Sequence, residues 1–100
     1  MKIVSFNVNG IRARFHQLEE LVKLQNPDII CFQETKVHND DFPFEALDDL
    51  GYKIIINGQK GHYGVATFYK TELISSSLGF KEDPDDAQCR LITSTHKVGD

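Results

Sequence analysis

The segment from Lys2 to Glu34 constrains this chain most, because it reads as strand, helix and strand in immediate succession. Lys2 to Val8 alternates and is rich in β-branched and aromatic side chains, a strand pattern that runs into the turn former Asn9-Gly10. Ile11, Phe15, Leu18, Leu21 and Val22 then recur at helical spacing, and Glu19 stands four residues before Lys23. Asn26-Pro27 ends that helix, since proline disfavours helical geometry in the residue before it. Asp28 to Glu34 follows as a nearly continuous apolar run, the mark of a strand covered on both faces. A strand–helix–strand crossover predicts two parallel strands with the helix packed on the sheet. Their C-terminal ends, carrying Asn7, Asn9 and Glu34, then share the sheet edge where open α/β sheets bind ligands.

The remainder predicts more strands than helices. Val37 to Asp41 reads as a polar loop, and Pro43 to Leu50 as a short helix capped by Asp41 and stopped by Gly51. Tyr52–Ile56 and Val65–Lys70 are strands, joined across a glycine-punctuated loop (57–64) that suits an antiparallel hairpin. Further strands are expected near Leu73–Ser77 and at Arg90–His96, on either side of an acidic loop at 82–86. Lys97 to Asp100 looks like the first half of a hairpin turn, so the domain is expected to continue beyond it. No repeat, low-complexity tract or linker divides the chain.

At 40% hydrophobic and 26% charged over 100 residues, this is the composition of a single globular unit with one core. No apolar run has membrane-spanning length, and the N-terminus enters a strand without signal-peptide features, so a cytoplasmic protein is expected. Cys31 and Cys89 lie 58 positions apart with no metal-binding spacing, and both are expected reduced. The net charge of −4 gives no support to a nucleic-acid partner. However, the basic residues fall in the loops that carry the motifs, so a local positive strip is compatible with it.

Glu34 is the most informative side chain, because a charge closing an apolar strand is costly unless it meets solvent, a partner or a metal. A metal reading pairs it with the amide oxygen of Asn7 around a hard cation such as Mg²⁺, which takes one or two carboxylates and keeps several waters. A solvated strand end beside a turn-forming Asn explains the same two residues. Arg12, Arg14, Lys36, Lys60, His62 and Arg90 are candidate phosphate contacts, and each is equally compatible with a solvated surface charge. In Gly61-His62-Tyr63-Gly64 two glycines allow close backbone approach and two rings can pack on a sugar or base, although a plain hairpin loop would look the same.

Read in order, three strings carry a resemblance: Ser-Phe-Asn-Val-Asn-Gly-Ile-Arg-Ala (5–13), Pro-Asp-Ile-Ile-Cys-Phe-Gln-Glu-Thr-Lys (27–36) and Gly-Gln-Lys-Gly-His-Tyr-Gly-Val-Ala (58–66). Together with Ala87-Gln88-Cys89-Arg90 they resemble the exonuclease III-type, DNA-repair branch of the endonuclease/exonuclease/phosphatase superfamily. The resemblance implies the N-terminal portion of a four-layered, DNase I-like α/β sandwich, with residues 1–100 one fragment of a single domain. It implies a Mg²⁺-dependent phosphodiesterase, with Mn²⁺ as an alternative ion. The reactions implied are 3′→5′ exonuclease action on duplex DNA, incision 5′ to abasic sites, 3′-phosphate removal and degradation of RNA in hybrids. Asn7 and Glu34 match metal-site positions; Arg12, Lys36, His62 and Arg90 match positions near the DNA backbone. Phe15 stands where some relatives have proline. The family's later Gly-Asp-x-Asn segment, catalytic tyrosine and Ser-Asp-His do not occur, so the catalytic residues are expected beyond residue 100 and this piece is expected to be inactive alone. A missing second sheet would leave one face of the first sheet bare. A monomer is implied for the complete protein.

Two other readings compete. Phosphoinositide phosphatases, sphingomyelinases and deadenylases of the same superfamily share the metal-binding Glu, but the Asn-Gly-Ile-Arg-Ala and Gly-His-Tyr-Gly strings favour DNA repair. A non-catalytic DNA-binding module is opposed by the net charge of −4.

Overall fold

The computed structural model describes residues 1–84 and 87–99; Asp85 and Asp86 of the acidic loop, and Asp100 of the final turn, lie outside. Its strands are β1 (Ile3–Asn7), β2 (Ile29–Gln33), β3 (Lys53–Asn57), β4 (Val65–Tyr69), β5 (Glu72–Leu78) and β6 (Ile92–Lys97). Its α-helices are α1 (Phe15–Gln25) and α2 (Phe44–Leu47). β1 and β2 are parallel as the crossover requires, with Asn7 opposite Gln33, so Asn7 and Glu34 emerge from the same edge. β4 runs antiparallel to β2, and β3 antiparallel to β4, giving a mixed sheet of order β1-β2-β4-β3.

One face of this sheet holds the core. Val4, Phe6, Ile30, Phe32, Ile54, Ile56, Ala66 and Phe68 pack with Leu18, Leu21 and Val22 of α1 and with Phe42, Leu47 and Tyr52. Phe32 meets Phe68 edge-on, ring centroids 4.7 Å apart, a favoured aromatic geometry. The Tyr52 hydroxyl reaches the Pro27 carbonyl at 2.5 Å, so the buried phenol is satisfied and the end of α1 is tied to the start of β3.

Several expectations are corrected. Ile11 does not belong to the helix: it lies in a 3-10 turn (Ile11–Ala13), and α1 begins at Phe15 after a break at Arg14. Ile11 is fully buried because its backbone N–H is drawn onto the Thr35 carbonyl (3.0 Å), so its apolar character serves the loop–sheet contact. The helix expected at 43–50 is one α-turn running into a 3-10 turn (Asp48–Leu50), and no side chain caps it; Gly51, at φ 81°, does end it. A second sheet is present: β5 and β6 form an antiparallel pair. It covers the β3–β4 side of the opposite face, where Tyr69 packs on His96 at 5.2 Å and Asn57 Nδ2 donates to the Leu91 carbonyl at 3.0 Å. The β1 side stays open, with Ile3 exposed. Glu19 and Lys23 form no ion pair among the described residues. No helix among them is long and apolar enough to cross a membrane.

Candidate metal and phosphate site

At the shared sheet edge the chain makes an unusual backbone run. Asn9, Glu34 and Lys36 all adopt left-handed φ angles (48°, 56° and 58°), a region that non-glycine residues enter at a cost. Hydrogen bonds from both sides hold them there. Gly10 N–H donates to the Glu34 carbonyl (2.8 Å) and Ile11 N–H to that of Thr35 (3.0 Å). On the other side Thr35 N–H donates to Gly64 (3.0 Å) and Lys36 N–H to Tyr63 (2.9 Å). The strand therefore does not simply end at Glu34; it is clamped between two loops.

The Glu34 carboxylate has two polar partners. Asn7 Nδ2 donates to its Oε2, while Lys36 Nζ lies 3.8 Å from Oε1 and donates to Asn9 Oδ1 at 2.5 Å. The Asn7 amide oxygen accepts the Asn9 backbone N–H (3.1 Å), which sets the amide with its nitrogen toward Glu34, so the oxygen expected beside Glu34 at a cation is turned away to the Asn9 backbone. The Glu34 side chain is 39% exposed, so the carboxylate remains open to solvent.

Glu34 and Gln33 form one wall of a cleft of about 340 Å³; His62, Tyr63, Gly64, Val65, Cys89 and Arg90 form the rest. The Arg90 guanidinium lies 4.7 Å above the Tyr63 ring, and Gln88 Nε2 donates to the Tyr63 hydroxyl at 2.8 Å. Gln59 Oε1 accepts the Cys89 N–H (2.7 Å), joining the 58–64 loop to the segment that leads into β6.

Of the residues singled out in the sequence, Glu34, His62 and Arg90 thus meet in one cleft, with Asn7 and Lys36 touching Glu34 beside it. Arg12 is exposed on the 3-10 turn and does not line the cleft, and the Arg14 guanidinium donates to the Ala13 carbonyl. Gln33, Gln59, Gln88 and Cys89 were not foreseen as parts of the site. They lie within the strings that carry the resemblance, but the contacts of Gln59, Gln88 and Cys89 are made about 25 to 30 residues away in the chain, which no local pattern shows. Cys31 lies two residues before Gln33 of the cleft wall; burial raises its thiol pKa, so it is a poor nucleophile.

No group of three or more His, Cys, Asp or Glu side chains converges among the described residues. One solvent-open carboxylate fits a hard cation that keeps most of its own water, and does not fit a Zn²⁺ site with all-protein ligands.

The Endonuclease/Exonuclease/phosphatase family matches residues 4–99, nearly the whole chain. The chain belongs to this family. It is 50% identical over 92 residues to exodeoxyribonuclease III of Haemophilus influenzae, covering 92% of this chain and 34% of that protein. With an exodeoxyribonuclease of Bacillus subtilis it shares 35% identity over 97 residues, 93% of this chain and 37% of that protein. Among solved structures, a 3′ phosphatase from Neisseria bound to a product DNA hairpin superposes with a TM-score of 0.87 at 36% identity, covering 96% of this chain and 37% of that one. An AP endonuclease from Archaeoglobus fulgidus gives 0.85 at 41% identity, over 96% and 37%. The chain thus spans about a third of the length of these family members. The α/β fold expected from the sequence is the family's fold.

Proposed function

We propose that this family member supplies the metal-ligand and phosphate-contact edge of a Mg²⁺-dependent DNA-repair phosphodiesterase. Its substrates would be duplex and abasic-site DNA, with 3′→5′ exonuclease action, incision 5′ to abasic sites and 3′-phosphate removal. The observation that carries this reading is the solvent-open Glu34 carboxylate in one cleft with His62 and Arg90. The names of its relatives point the same way: exodeoxyribonuclease III, an AP endonuclease, and a 3′ phosphatase held on a DNA hairpin.

Glu34 would hold the cation, and Asn7 and Lys36 would keep its carboxylate oriented. Bound there, Mg²⁺ supplies charge neutralisation at the phosphate oxygens. Arg90, braced on Tyr63, and His62 on the opposite wall would contact a phosphate at the cleft mouth. Lys36 and the exposed Arg12 do not line the cleft and would meet flanking phosphates. Residues 1–100 form the N-terminal part of one domain in this reading, monomeric and cytoplasmic when complete, and the water-activating base comes from outside them.

Mg²⁺-dependent incision of a duplex with one abasic site tests the reading. Three proteins are compared: this chain, the same residues within a protein of the relatives' full length, and that longer protein with Glu34→Gln. Incision only by the longer protein, lost with Glu34→Gln, is expected. Incision by the 100-residue chain, or a longer protein indifferent to Glu34→Gln, would overturn it.

A further inference from the structure

Between the two left-handed residues Glu34 and Lys36 sits Thr35, and its side chain has no explanation in the chemistry above. It is only 1% exposed, and its hydroxyl is buried with no hydrogen-bond partner among the described residues. An orphaned hydroxyl destabilises a fold, so a reason for it is sought in what it touches. It touches Gly64. A Cβ built on Gly64 would overlap Thr35 Oγ1 and lie 3.1 Å from the Gln59 nitrogen. Gly64 also sits at φ 102°, where side chains are strained, and its own N–H donates to the Cys89 carbonyl at 3.0 Å.

We infer that Thr35, seated against the bare Cα of Gly64, is a positioning residue that latches Glu34 and Lys36 in their left-handed conformation and sets the cleft's two walls at a fixed separation. The contact joins the two sides directly. Thr35 belongs to the strand end that presents Glu34, and Gly64 to the loop that presents Tyr63 and, through Cys89, Arg90. With its neighbours at φ 56° and 58°, Thr35 is the one residue of the tripeptide whose side chain turns inward, so its fit decides whether the strained run persists. The consequence for the cation rests on the function proposed above; the latch does not.

The test uses Gly64→Ala, Thr35→Ala and the double variant, all in this chain. The first readout is NMR, through the carbon shifts and backbone couplings of residues 34 and 36, which report the sign of φ. The second is affinity for Tb³⁺, a luminescent probe of hard oxygen sites. Gly64→Ala is expected to abolish the left-handed signature and weaken Tb³⁺ binding about tenfold or more, the scale of losing support behind a metal ligand. Adding Thr35→Ala removes the clashing atom and lets the new methyl take its space, so part of the signature and of the affinity is expected back; the strain of a side chain at φ 102° stays. A folded Gly64→Ala variant with the parent signature would overturn the latch, and so would a double variant no better than the single one. If Gly64→Ala does not fold, Thr35→Ala alone decides: couplings at 34 and 36 that keep a positive φ refute the latch, and couplings of a negative φ support it. Absent Tb³⁺ binding in the parent, with the NMR coupling intact, would sink the metal reading and leave the latch standing.

Discussion

The four-stranded sheet and the β5–β6 pair are built from contrasting material. β2 and β4 bury most of their side chains, and Phe32, Phe68 and Ile30 of the first sheet are fully enclosed together with Leu18 of α1. β5 is Glu-Leu-Ile-Ser-Ser-Ser-Leu, exposed along most of its length, with Ile74 and Leu78 facing solvent. It keeps its place through β6 and the residue before it, by polar and aromatic ties: His96 to Tyr69 of the first sheet and to Thr71 just after it, and Leu91 to Asn57. The site divides along the same line. Asn7, Glu34 and Lys36 rise from the rigid sheet, whereas Arg90 stands on the segment that enters the weaker pair. The proposed metal ligand is therefore placed by the core, and the proposed phosphate contact by a smaller set of hydrogen bonds.

The comparison breaks most severely at Phe68. Phe68→Ala removes a fully buried ring and should cost about 3–5 kcal/mol, enough to unfold a small domain, with both sheets lost in one denaturant transition. If β5–β6 melted separately in the parent protein, the cooperative link between the sheets would be refuted. A smaller loss, about 1–2 kcal/mol, is expected for His96→Ala, whose two ring nitrogens meet the hydroxyls of Thr71 and Ser94, each at 2.8 Å. Hydrogen exchange should then rise in β5 and β6 while β1, β2 and β4 stay protected.

Thr35→Val sharpens the contrast from the rigid side. It replaces a buried, unpartnered hydroxyl with a methyl of similar shape, and a gain of about 1 kcal/mol is expected in chemical denaturation. The smallest effect concerns pH. Burial raises the Cys31 thiol pKa, so the folded state favours the protonated form. Stability is then constant below the thiol's ordinary value of about 8.5 and falls as pH rises past it. Tyr52, raised by burial and next by Asp28, adds to the loss at still higher pH. Urea midpoints measured at neutral and alkaline pH should show the decline, and Cys31→Ala should flatten its first part.

Much of the first sheet was legible from residues alone. Ile29 to Phe32 is apolar at every position, Pro27 leaves the preceding helix one place to stop, and together they dictate a crossover with parallel strands. The same logic failed at Ile11, where spacing suggested a helix. A buried residue held by a distant carbonyl and a buried residue on a helical face leave the same mark in a sequence. The pairing of β5 with β6 was equally hidden, because serines at the pleat carry no alternation from which to read it.

The sequence by itself determined that Asn7 and Glu34 emerge at one sheet edge, and that a lone carboxylate closes an apolar strand there. Both follow from local rules: chain direction through a crossover, and the cost of burying charge. Tertiary structure alone decided how that carboxylate is presented. The left-handed turn at Glu34, the Asn7 amide turned nitrogen-first, the brace of Tyr63 under Arg90 and the seat of Thr35 on Gly64 all arise between segments about 25 or more residues apart. No local preference encodes them, since left-handed backbone at Glu and Lys is locally unfavourable and persists only where two loops hold it from either side.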